Sequence, residues 1–356
     1  MSWEDNVRKV VPYVAGEQPA GDVIKLNTNE FPYPPSTKVL DRLAQMANPD
    51  SWGEWTNLRK YPDLDATHLV NAISCTYNIP FDNIFVGVGS DDVLAISFMT
   101  FFAGKKPVLF PDITYSFYDV WADLFGIPYK TCALNENFEI NVGDYFAPNG
   151  GIVIPNPNAP TGISKPVSFF EEIIKANPGS VVIIDEAYVD FGAESCLPLI
   201  SKYDNVLVVQ TFSKSRALAG LRIGVAFGNK RLIEYMQDVK FSFNSYTMNY
   251  PAIELGAAAV LDKVYYKEAV NKVIETREWT KEELEKLGFE FSDSKANFIF
   301  ATHKKIPATH IYEELKKRKI YVRHFNKPRI ANYLRISIGT EDEMKTLMKN
   351  LKEIIA

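Results

Sequence analysis

Only three cysteines, Cys75, Cys132 and Cys196, occur in 356 residues. They are widely separated and show no CxxC spacing, which excludes a disulfide framework and points to reduced thiols in a cytoplasmic protein. The four histidines, His68, His303, His310 and His324, form no HExxH or other paired-ligand pattern, so no metal site is expected. Charge of one sign is not in large excess. A net charge of −5 leaves no basic field to draw nucleic acid or a membrane surface. Long apolar runs are missing too: the longest, VLAISFMTFFAG, is too short to span a bilayer and reads as a buried helix. The opening MSWEDNVRKVVPYVAGEQ carries acids and no apolar stretch, so it does not read as a signal peptide. There is no GxSxG, and the one Gly-Lys pair, Gly104–Lys105, lies outside any GxxxxGK[ST]. A hydrolase nucleophile elbow and a P-loop ATPase are thereby disfavoured.

What is present is an ordinary globular mixture, 46% hydrophobic and 23% charged, in a chain long enough for two domains. The proline-rich opening reads as an arm over residues 1–28. From about residue 84, short apolar runs (NIFVGV, PVLF, GIVIPNP, SVVIIDEAY, NVLVVQTF, RIGVAFG) alternate with helical segments. Continuous β-branched runs without polar alternation suit strands buried on both faces of a mostly parallel sheet flanked by helices. After Pro251 a long charged helical stretch leads into a smaller α/β unit. The expected division is therefore a large domain over 29–248 and a small C-terminal domain over 249–356, the arm packing with the latter. Functional groups in such a sheet belong just past the carboxyl ends of its strands.

Four segments fall at such places. FVGVGSDDVL sets Gly87, Gly89 and Ser90 between a strand and a helix, where free N–H groups and the helix dipole suit a phosphate. Asp92 stands where a dinucleotide GxGxxG needs its third glycine, which disfavours NAD. SVVIIDEAY ends a strand on Asp185, Glu186 and Tyr188, either as a turn cap or as a carboxylate facing a cationic ring nitrogen. IPNPNAPTG is explicable as turn chemistry alone, with Asn158 a candidate donor. QTFSKSRALAGLRIG holds Lys214 between two serines; alone it reads as a solvated loop. Together, a lysine, a strand-end acid, an asparagine turn and an anion-suited helix terminus are the parts that pyridoxal 5′-phosphate (PLP) requires.

In order along nearly the whole chain, LNTNEFPYPP, RKYPD, GVGSDDVL, DITYSFY, NPNAPTG, IIDEAYVDF, TFSKSRALAGLRIG and YLRISIG resemble the fold-type I PLP-dependent aminotransferases of class II. Within them the resemblance is to the histidinol-phosphate aminotransferases. It implies an α/β fold with a large PLP-binding domain, a mostly parallel mixed sheet, and a smaller C-terminal domain. It also implies a homodimer with shared sites. Lys214 would carry the cofactor and move the Cα proton, Asp185 would pair with the pyridinium, Tyr188 would bond the phenolic oxygen, and Tyr115 would stack on the ring. Gly89, Ser90, the Asp91 N–H, Ser213 and Arg222 would hold the phosphate, with Tyr61 reaching it from the second subunit. Arg335 and Arg323 would grip the substrate's anionic end, and Asn29 and Glu30 would contact substrate. The small-molecule substrates implied are a phosphorylated amino alcohol, L-histidinol phosphate, and 2-oxoglutarate/glutamate. Aromatic amino-acid transamination, decarboxylation of a phosphorylated amino acid and a non-catalytic binding relative are the alternatives. One departure concerns the cofactor: Ala159 stands where the family has asparagine before Pro-Thr-Gly, so the phenolic-oxygen contact falls to Asn158, the favoured source, to Tyr188 alone, or to water. A second is NEFPYPP, which lacks the glycine common before its last proline.

Overall fold

The computed structural model describes residues 2–48 and 56–356. β1 (Ile24–Leu26) leaves the arm and joins a small sheet described below. The strands β2 (Ile84–Gly87), β3 (Val108–Pro111), β4 (Tyr129–Cys132), β5 (Gly151–Pro155), β6 (Val182–Asp185), β7 (Val206–Thr211) and β8 (Gly224–Gly228) form a seven-stranded sheet in the order β2-β8-β7-β6-β5-β3-β4. Strands β5 to β8 are buried at every position, as their Val/Ile/Leu content demands when helices cover both faces. Ile184 and Val208 pack into one core with Leu69, Ile73 and Phe170. Ile183 and Val209 pack into another with Val93, Phe98 and Trp121.

β3, β4, β5, β6 and β7 are parallel, but β8 runs antiparallel to both β7 and β2. The turn 212–223 between β7 and β8 contains no crossover helix, so the chain returns directly beside the strand it left. This reversal decides the site. It puts the start of β8, at Gly224, on the same edge as the carboxyl ends of β2, β5, β6 and β7, with Gly224 in register with both Gly87 and Thr211. Pro155 lies opposite Asp185 on that edge.

The second sheet has the order β1-β11-β12-β10-β9, with β9 (Phe289–Phe291), β10 (Phe298–His303), β11 (Ile320–His324) and β12 (Leu334–Ser337). Helices Ala308–Lys317 and Glu341–Ile355 seal one face through Ile311, Leu315, Leu347 and Leu351. The long helical stretch read after Pro251 is two helices, Tyr250–Leu261 and Lys263–Lys286. Asp262 ends the first and caps the second, its carboxylate accepting from Tyr265 N, which is why the path bends there. Among the described residues no helix is long and apolar enough to cross a membrane.

Candidate active site

The cup at the sheet edge is built around two glycines. Gly89 has φ +87°, and a Cβ there would lie 2.3 Å from Arg222 Nη2. A Cβ on Gly224 would lie 2.3 Å from the Gly89 carbonyl carbon. Both positions therefore need bare backbone. Asp92 turns its carboxylate back to accept from Val88 N at 2.9 Å, pinning the turn that starts the helix Ser90–Phe101. Arg222, itself at φ +53°, lays its guanidinium over this turn, with Nη1 donating to Ser213 Oγ at 3.3 Å and Nη2 to Asp91 Oδ2 at 3.1 Å. Ser90, Asp91, Ser213 and Arg222 thus border one concavity, whose other walls are Tyr115, Pro157, Ala159, Asp185, Tyr188 and Lys214.

Asp185 ends β6 and is only 4% exposed. Its Oδ2 accepts from Tyr118 Oη at 2.7 Å and its Oδ1 from Ala187 N at 3.2 Å. Among the described residues no cation pairs with it, and burial raises its pKa to about 6 against those two donors. A carboxylate so held is a seat for a cationic N–H. Lys214 Nζ donates to Thr28 O at 3.2 Å and lies 5.8 Å from the Tyr188 ring centroid. Burial, and then the charge of Arg335, bring its ammonium down to about 8. The Tyr188 hydroxyl accepts from Asn29 Nδ2 at 3.0 Å.

Lys214, Tyr115, Tyr188 and Ala159 also line a second cavity toward the small sheet, walled by Tyr13, Asn27, Thr28, Asn29, Arg323 and Arg335. Arg335 on β12 lies directly across the ladder from Arg323 on β11. Arg335 Nη2 donates to Asn27 O at 2.9 Å, while its Nε is sealed from solvent with no acceptor among the described residues. Phe298 and Phe325 flank this guanidinium at 5.4 and 5.6 Å. Arg323 holds the arm through Ala15 O and Val14 O, both at 3.5 Å. Among the described residues neither guanidinium has a carboxylate partner, so the pair could seat an anion, and Lys214 lines both this cavity and the cup.

Three of the expected residues line neither cavity of this chain, as expected for Tyr61, read as serving the second subunit. Asn158 does not line the cup. Both its amide hydrogens are engaged, to Ile113 O (3.0 Å) and Thr161 Oγ1 (3.2 Å), and its Oδ1 accepts from Thr114, so it stabilises its own turn while Ala159 faces the cavity. Glu30 folds back onto Lys25 and Thr28 and stays outside the second cavity, whereas its neighbour Asn29 lines it. Tyr61 is 79% exposed, stacked on Tyr246 at 4.4 Å, and does not reach the cup of its own chain. Two contributions escaped the sequence reading. One is Tyr118, whose three-residue spacing from Tyr115 was its only signal. The other is the Asp91 side chain, which accepts from Tyr115 Oη at 2.6 Å.

The aminotransferase class I and II family model matches residues 21–351. A histidinol-phosphate aminotransferase of Lactococcus lactis subsp. cremoris is 51% identical over 356 residues, 100% of this chain and 98% of the relative. One of Acinetobacter baumannii is 49% identical over 354 residues, covering 99% and 97%. Among solved structures, the histidinol-phosphate aminotransferase of Sinorhizobium meliloti in complex with pyridoxal-5′-phosphate superposes with a TM-score of 0.82 at 24% identity, over 94% of this chain and 90% of that one. The histidinol-phosphate aminotransferase of Clostridium acetobutylicum gives 0.83 at 23% identity, over 94% and 99%. At those identities the likeness is one of fold.

Proposed function

The chain belongs to the aminotransferase class I and II family, and from that premise we propose that it is a PLP-dependent transaminase of histidine biosynthesis. It interconverts L-histidinol phosphate and 2-oxoglutarate with imidazole acetol phosphate and L-glutamate, by a ping-pong route. The donor set fits the cofactor: an enclosed amine, a buried carboxylate without a cation, and a glycine turn crossed by a guanidinium. Lys214 would hold PLP covalently, Asp185 its ring nitrogen, Tyr188 its phenolic oxygen and Tyr115 its ring face. Ser90, the Asp91 N–H, Ser213 and Arg222 would hold its phosphate.

When bound, PLP supplies an electron-withdrawing ring that takes up the electron pair of the substrate Cα–H bond. The protein's part is positional and acid–base. Asp185 keeps the ring nitrogen cationic. Once the substrate amine has displaced it from PLP, the Lys214 amine, lowered toward neutrality, would carry the proton from the substrate Cα to the cofactor carbon that it had been bonded to. Tyr115 and Tyr188 confine the reacting group between the cup and the cleft.

One observation carries the substrate class: Arg335 and Arg323 stand in register, and the enclosed Arg335 Nε lacks an acceptor. Two guanidiniums suit a phosphate ester, and the same pair suits the carboxylates of glutamate, so one seat serves both half-reactions. We also take the enzyme to be a cytoplasmic homodimer. Its cysteines are free thiols, and Tyr61, 79% exposed, stacks on Tyr246, itself 42% exposed, leaving apolar surface for a second subunit to cover.

A substrate panel tests the reading. We expect kcat/KM for histidinol phosphate to exceed that for phenylalanine by at least about 100-fold, a differential transition-state binding of about 3 kcal/mol, with no carbon dioxide released. Preference for phenylalanine would make the enzyme an aromatic transaminase. Carbon dioxide release would make it a decarboxylase.

A further inference from the structure

Tyr118 opens the helix Tyr118–Phe125 and is fully buried. Its ring lies among Phe110, Tyr115, Phe98 and Trp121, with centroids 5.7 to 6.3 Å away. Phenylalanine would fill that space equally well, so packing does not explain the hydroxyl. A phenol buried among aromatic rings is unfavourable unless it finds an acceptor, and Tyr118 Oη has one, Asp185 Oδ2 at 2.7 Å.

The bond has a direction. A donor to a carboxylate favours the ionised form. Burial pushes Asp185 the other way, and so does the charge of Asp91, while Tyr118 and Ala187 N are the two groups that oppose them. Ala187 N is backbone from the same turn, so among the described residues Tyr118 is the one side-chain donor to Asp185. It also ties down Oδ2 from a different element, fixing the carboxyl plane relative to the cavity.

We propose that Tyr118 is a positioning residue for the transamination, holding Asp185 ionised and oriented so that the carboxylate, rather than a carboxylic acid, meets the ring nitrogen of PLP. The proposal rests on the transaminase reading above. It assigns Tyr118 no contact with substrate or cofactor; its whole effect passes through Asp185. Two consequences separate this from a structural role. The proton on the ring nitrogen depends on the Tyr118 hydroxyl, and removing that hydroxyl does nothing further once Asp185 has lost its charge.

The test uses full-length Tyr118→Phe, Asp185→Asn and the double variant, with folding checked by circular dichroism and thermal unfolding of the cofactor-free proteins. PLP affinity is measured by titration, and the ring-nitrogen proton by the 15N shift of labelled PLP on the protein. Loss of a charge-assisted hydrogen bond leads us to expect PLP affinity about ten-fold weaker in Tyr118→Phe, with the 15N resonance moved toward the unprotonated position. Adding Tyr118→Phe to Asp185→Asn should then change affinity less than about two-fold, because charge assistance has already gone. A Tyr118→Phe protein with wild-type affinity and 15N shift overturns the role of Tyr118 and leaves the transaminase reading intact. Equal losses in both backgrounds also overturn it, marking Tyr118 as structural. Failure of the unmodified protein to bind PLP overturns both.

Discussion

Arg335 faces Arg323 directly across the β11–β12 ladder, and its enclosed Nε has no acceptor among the described residues. Like charges opposite each other weaken a sheet. Their presence at the end of a cleft that starts at Lys214 supports the proposal that an anion binds there.

Removing that guanidinium should therefore act on both substrates together. For Arg335→Ala we expect kcat/KM for histidinol phosphate and for 2-oxoglutarate each to fall by about 100-fold or more, since a charge-assisted bidentate contact contributes about 3 kcal/mol. Arg335→Lys should recover only part, because an ammonium cannot present the guanidinium fork. A loss confined to one substrate, read from separate half-reactions, would show that the two anions use different seats.

Lys214 carries the next expectation. Its folded pKa of about 8 lies below the ordinary 10.5, so between those values the unfolded chain binds more protons than the folded one. Stability of the cofactor-free protein should accordingly rise as pH increases through that window, and Lys214→Met should flatten the rise. The same variant should lose transamination by at least about 1,000-fold, the scale of general acid–base catalysis. Borohydride should no longer fix PLP to the chain. Undiminished turnover in Lys214→Met would remove the lysine from the mechanism.

Asp185 gives the opposite slope. Its folded pKa is raised from 3.8 to about 6, so the folded form binds more protons between those values and stability falls as pH rises through them. Above that window the buried charge costs about 3 kcal/mol. Asp185→Asn should thus be the more stable cofactor-free protein at pH 7, by thermal unfolding, and the poorer transaminase. Lower stability for Asp185→Asn at that pH would mean that its two donors outweigh burial.

Gly89 tests the cup independently of the chemistry. With φ at +87° and Arg222 Nη2 at 2.3 Å from a would-be Cβ, Gly89→Ala must displace the guanidinium. We expect a loss of about 1–3 kcal/mol in stability from the backbone, together with weaker PLP binding. Normal PLP affinity in Gly89→Ala would separate Arg222 from the phosphate.

Shared sites can be tested by mixing. If Tyr61 serves the second subunit, Lys214→Ala and Tyr61→Ala homodimers, each impaired, should regain activity when unfolded and refolded together, since one site of each hybrid has both residues intact. No recovery would argue that Tyr61 does not cross between subunits.

The strand runs ending in Gly87, Pro155, Asp185 and Thr211 could be read directly, because strands buried on both faces must be apolar at every position. Gly89 followed from its place beyond those runs, Lys214 took on meaning only with its partners, and Arg222 came from the family resemblance. Asn158 shows where such reading stops. Asn156 and Asn158 are two similar amides in one turn, and only the folded path reveals that Asn158 bonds Ile113 O and Thr161 while Ala159 meets the cavity. Glu30 turns to Lys25 and Thr28, neighbours along the chain, rather than to the cleft that its neighbour Asn29 lines.

By itself the sequence determined the parts: where buried strands end, which lysine, acid and arginine follow them, and where a glycine leaves backbone bare. Those are local properties, set by side-chain type and spacing. The tertiary structure decided which parts meet. The reversal of β8 swings Arg222 onto the Ser90 turn, the helix starting at Tyr118 brings a phenol under Asp185, and the β11–β12 ladder sets Arg323 against Arg335. Each joins residues far apart in the chain, and hydrogen bonds and burial at such distances depend on the path of the backbone rather than on spacing along it.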